Sequence, residues 1–123
     1  MSADSDSVLD AMQVAELMAL DRGQGAVFAK FVNVFLSGAK DRIVQLRGHA
    51  ESADASALAD AAHALRGASG NLGAVRLSDL CMRIEIAGRR QDMDAAVELI
   101  ALLDAEYALA RGALLAAAGR GRS

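Results

Sequence analysis

Apolar residues return along this chain every three or four positions, in blocks separated by glycines or short polar stretches. The clearest block runs over about 24–49, where Phe28, Phe31, Val32, Phe35, Ala39, Ile43 and Leu46 make one stripe on a helix. All three phenylalanines of the chain fall on it and are expected in the core. A shorter helix is predicted before it, over about 8–20, with Leu9, Met12, Leu17 and Leu20 apolar. Gly23 and Gly25 punctuate the chain between the two. Gly48 and residues 51–54 are expected to form a loop.

Asp54 is a plausible N-cap for a third helix, whose stripe is Leu58, Ala62, Leu65, Ser69 and Leu72. Gly73 can end it in a left-handed C-cap. A fourth helix is predicted over about 74–88, with Leu77, Leu80, Cys81, Ile84 and Ala87 facing inward. Gln91 or Asp92 then caps a last long helix over about 93–117. Its stripe is Met93, Ala96, Val97, Ile100, Leu103, Tyr107, Ala110 and Leu114. Four amphipathic helices with short connections imply an all-α, antiparallel up-down four-helix bundle, with the short extra N-terminal helix packed across one end. The expected organisation is a mobile leader over 1–7, one bundle domain over 8–118 and a frayed tail over 119–123.

Composition strengthens this picture. The chain has no proline, is 54% hydrophobic and only 3% aromatic, which suits helices packed through alanine and leucine. A net charge of −3 gives no electrostatic reason to expect nucleic acid as a partner. The single cysteine excludes an internal disulfide. Two distant histidines and one cysteine make no credible metal-ligand set. No apolar run approaches the roughly 20 residues of a membrane span. Residues 2–6 carry no secretory pattern, so a cytoplasmic location is expected.

The candidate chemistry lies on the third helix. His63, Arg66, Gly67 and Gly70 stand at i, i+3, i+4 and i+7 and share one face. His63 is one step, about 100°, from the buried Ala62 position, which places it at the boundary of the core. A neutral imidazole offers a nucleophilic nitrogen. Arg66, one turn later, can neutralise a dianionic group placed on that nitrogen. Each helical glycine costs roughly 1 kcal/mol against alanine. Two of them beside a histidine suggest a shelf cleared for another protein's active site. Cys81 reads as a small core residue.

This segment resembles the histidine-containing phosphotransfer (HPt) domain of multistep two-component signalling. Ala62, His63, Leu65, Gly67, the run Asn71-Leu72-Gly73-Ala74, Leu77, Leu80-Cys81 and Glu85 match the family motif. The resemblance extends over about 8–117. It differs in having Arg66 where lysine is usual, which keeps the charge but replaces a point charge by a planar fork, and Ile84 where leucine is common.

The resemblance implies a phosphocarrier rather than an enzyme, with no autokinase activity. His63 would take a phosphoryl group from the aspartate of one receiver domain and pass it to another. Glu85 matches the family position that bonds the inner ring nitrogen and so fixes the tautomer. Arg89, one turn beyond, would join Gly67 and Gly70 in docking the partner. The implied partners are the receiver domain of a hybrid sensor kinase, a response regulator, or both. The expected cofactor is none on this chain, with Mg²⁺ in the receiver. A single docking face implies a monomer. Two other readings stand beside this one: a phosphoacceptor domain of the chemotaxis-kinase type, and a non-catalytic helical adaptor.

Overall fold

In a computed structural model the described residues are 7–20 and 26–121, and all their regular structure is helical. The order is α1 (Ala11–Leu20), α2 (Ala26–Glu51), α3 (Ala55–Asn71), α4 (Val75–Arg89), α5 (Met93–Ile100) and α6 (Leu103–Gly121). Residues 1–6 of the expected leader, the punctuating Gly23 and Gly25, and Arg122 and Ser123 of the tail lie outside the described residues. Helix α2 packs on α3 and α6, and α4 packs on α3, α5 and α6, so the bundle closes around one core. The connections at 52–54, 72–74 and 90–92 are too short for anything but antiparallel neighbours.

Those three turns share one design. Each helix ends with an amide bonded to the carbonyl five residues back: Asp54 to His49, Ala74 to Ser69 and Asp92 to Ala87, all at 2.9 Å. A second bond spans three residues inside each turn, from Ala53 to Ala50, Gly73 to Gly70 and Gln91 to Gly88. This is the Schellman pattern, which uses up orphan carbonyls at a helix end. It requires a left-handed residue, supplied by Gly73 at φ 78°, Ala53 at φ 55° and Gln91 at φ 59°. Asp54 and Asp92 then cap the next helices by accepting from the amides of Ala57 and Ala95. The tight exit is common to all three hairpins, whereas α4 begins at Ala74 with no side-chain cap.

Helix α1 lies over the α3–α4 turn, at one end of the bundle as expected. Its cap Asp10 accepts from the Gln13 amide, and the Asp10 amide donates to Gly73 O at 2.7 Å. The Gln13 side chain donates to Gly70 O at 2.6 Å, covering a carbonyl at the end of α3. Its buried anchor is Val14, not the apolar residues singled out above: Met12 is 73% and Leu20 82% exposed.

The core otherwise follows the stripes, with corrections. Phe28 and Phe35 are buried but Phe31 is 55% exposed. Positions 28, 32, 35, 39, 43 and 46 already close the stripe, and Phe31 is rotated about 100° from Val32. Val97 is also exposed. Gly48 belongs to α2 rather than to a loop. The single last helix is two, broken at Ala101 and Leu102, where the Leu102 amide reaches back only three residues to Leu99. The buried positions Ala96, Ile100, Leu103, Ala110, Leu114 and Ala117 keep their spacing across the break, so the apolar pattern does not register it. Helix α6 runs to Gly121, into the segment expected to fray.

Candidate functional site

The α3–α4 hairpin is the most closely packed pair in the bundle, and two small residues explain the approach. A Cβ on Gly88 would stand 3.0 Å from Ala59 Cβ and 3.1 Å from the Ala55 carbonyl. Ser69 is fully buried and turns its hydroxyl back to Leu65 O at 2.6 Å, so it packs as a small residue. Cys81 of α4 is fully buried, and burial pushes its thiol pKa up to about 12. It is an inert packing group, as expected.

Antiparallel register brings His63 of α3 opposite Glu85 of α4. The imidazole is 62% exposed, whereas the Glu85 side chain is only 13% exposed. Nδ1 and Glu85 Oε2 are 3.0 Å apart. A carboxylate can only accept, so Nδ1 carries a proton, and in the neutral ring the lone pair then lies on Nε2. Among the described residues Nε2 has no partner. A neutral imidazole held this way presents one nucleophilic atom outward in one orientation.

Glu85 is itself held by two arginines. Arg66 donates from Nη1 to Oε1 at 3.1 Å. Arg89 places Nη2 at 3.8 Å from Oε2 and donates to Asp60 Oδ1 at 3.0 Å. Arg66 therefore binds the carboxylate that orients the histidine, rather than standing free. Helix α4 also grips the Arg66 backbone, since Ser78 Oγ donates to its carbonyl at 3.1 Å.

The two expected shelf residues separate. Nothing lies within 4 Å of a Cβ built on Gly67, one turn from His63. A Cβ on Gly70 would meet Ser78 Oγ at 3.4 Å, so that position faces α4. The open space beside the imidazole belongs to Gly67. Arg89 is half-exposed but engaged by Asp60 and close to Glu85. Asp60 was not among the sequence candidates. Its signal was present: it sits one turn before His63, as Arg89 sits one turn after Glu85, with opposite charge.

Comparison with known proteins bears on the family and the fold. The model of the Hpt domain family matches residues 30–113. No curated protein sequence matches the chain. Among solved structures, histidine-containing phosphotransfer protein B (HptB) from Pseudomonas aeruginosa PAO1 superposes with a TM-score of 0.83 at 27% identity, covering 92% of this chain and 96% of that one. A rice protein proposed to be a histidine-containing phosphotransfer protein superposes with a TM-score of 0.81 at 19% identity, covering 96% of this chain and 84% of that one, a likeness of fold alone.

Proposed function

Because this chain belongs to the Hpt domain family, whose work is histidine phosphotransfer in phosphorelays, we propose that His63 is the residue that carries the phosphoryl group. The observation behind this is the pairing of a bound Nδ1 with an exposed Nε2.

In the reaction, the Nε2 lone pair attacks the phosphorus of an aspartyl phosphate on a receiver domain. The N–P bond forms as the acyl O–P bond breaks, and the electron pair leaves with the receiver's carboxylate. The ring keeps its Nδ1 proton, shared with Glu85, so the step needs no general base. Transfer to a second receiver reverses the same bonds. Positioning carries the catalysis, since a fixed nucleophile converts docking into near-attack geometry. Arg66 supplies positive charge one turn from the phosphoryl group, and Gly67 leaves room for the receiver to approach. The receiver brings the Mg²⁺.

On this reading the chain is a phosphocarrier without autokinase activity, acting as a monomer in the cytoplasm. Its partners are receivers of a hybrid sensor kinase, a response regulator, or both. Among the described residues no helix is long and apolar enough to cross a membrane.

The test is transfer from a phosphorylated receiver, scored as acid-labile, base-stable label. Wild type takes the label and His63→Gln takes none. Label that persists in His63→Gln refutes the assignment.

A further inference from the structure

Glu85 is supplied with two guanidiniums, and only one of them is bonded to it. Arg66 Nη1 binds Oε1 at 3.1 Å, while Arg89 Nη2 waits 3.8 Å from Oε2, beyond hydrogen-bonding range. Asp60 holds Arg89 from the other side at 3.0 Å. With His63 neutral, the two carboxylates and two guanidiniums balance.

A phosphoryl group upsets that balance. On the reading of His63 as the phosphoacceptor, about two negative charges arrive on the outer side of the ring. Arg66 lies one helical turn from His63 and is the cation best placed to meet them. Turning to the phosphoryl group takes it off Glu85 Oε1. A carboxylate as buried as Glu85 then loses its bonded cation, which is costly. Arg89 removes the cost, because a shift of about 1 Å brings its Nη2 into charge-assisted bonding with Oε2. That oxygen is also the one bonded to His63 Nδ1.

We infer that Arg89 is a positioning residue for phosphotransfer. When Arg66 swings to the phosphoryl group, Arg89 takes over Glu85 and keeps it aligned on Nδ1, with Asp60 as its anchor. Arg89 acts through Glu85 and does not touch the phosphoryl group.

The experiment compares wild type, Arg66→Gln, Arg89→Gln, the double variant, Arg89→Lys and Asp60→Asn. Two quantities are read: the ¹⁵N shifts of the His63 ring, which report the tautomer, and the lifetime of the phosphohistidine. Before phosphorylation either arginine suffices, so both single Gln variants keep the proton on Nδ1 and the double variant shows a mixture. After phosphorylation Arg89→Gln shortens the lifetime by about two- to fivefold, a ceiling set by the weakness of partly exposed ion pairs. Arg89→Lys restores the lifetime, and Asp60→Asn shortens it less than Arg89→Gln does.

An unchanged lifetime in Arg89→Gln overturns the inference while leaving His63 as the phosphoacceptor. So does a tautomer already mixed in Arg89→Gln before phosphorylation, because Arg66 then never sufficed. If wild type takes no label on His63, the parent reading falls and this one with it.

Discussion

The α3–α4 hairpin and the α5–α6 arm are built from the same material, alanine-rich helix, yet they arrange their polar groups differently. In the arm the ties at Asp104, Glu106 and Tyr107 run to three different residues of other helices. Asp104 pairs with Arg47 at 2.7 Å, Glu106 with Arg76 at 2.6 Å, and the Tyr107 hydroxyl donates to Leu36 O at 3.0 Å. These contacts staple α6 to α2 and α4. In the hairpin, His63 and Arg66 bond one largely buried carboxylate on Glu85, with Arg89 close by. A staple holds two helices together. Convergence holds one side chain in one orientation, and an oriented imidazole is what phosphotransfer needs.

The glycines differ in the same way. Gly88 lets α4 lie against α3, whereas a Cβ on Gly112 of α6 would meet nothing within 4 Å. The largest expected effect follows from that contrast. Gly88→Leu places bulk against Ala59, Leu58 and the Ala55 backbone, and should destabilise the bundle by roughly 3 kcal/mol in urea unfolding. Stability near wild type would mean that α3 and α4 are not held this close.

A functional contrast comes next. Gly67 and Gly112 are equally open, but only Gly67 adjoins His63. Gly67→Leu should slow transfer from a receiver at least about tenfold, the equivalent of about 1.4 kcal/mol, with helical content retained. Gly112→Leu should leave transfer at the wild-type rate. Equal rates in the two variants would remove Gly67 from the docking face.

The smallest effect sharpens the structural side. Gly112→Ala should stabilise the protein by about 0.5–1 kcal/mol, because alanine loses less backbone entropy in a helix than glycine. A loss of stability would show that α6 packs against something at that position.

Much of the bundle was legible along the chain because helix formation is local. The stripes named most of the core, Gly73 marked the left-handed exit of α3, and Asp54 and Asp92 marked helix entries. The misreadings concern rotation and continuity. Phe31 looked like core because three- and four-residue spacings admit two overlapping stripes near position 32, and only packing against α3 and α6 selects one. The break at Ala101 and Leu102 carries neither glycine nor proline, so nothing in the residue types marked it. In α1, Met12, Val14, Leu17, Met18 and Leu20 competed for burial, and Val14 won because it meets the Gly73 turn, where a Cβ on Gly73 would stand 3.1 Å from it.

For the site, the sequence alone determined which residues share a helical face: His63, Arg66 and Gly67 are neighbours wherever α3 lies, because 3.6 residues make a turn. The family motif added Glu85. The tertiary structure decided what each residue does there. It turned Arg66 onto Glu85, set Asp60 against Arg89, aimed Gly70 at Ser78 and left Gly67 open. Those relations depend on the register and rotation of α4 against α3, which the Gly73 turn and the close contact at Gly88 set together. Spacing along one helix cannot encode them, because they are distances between two.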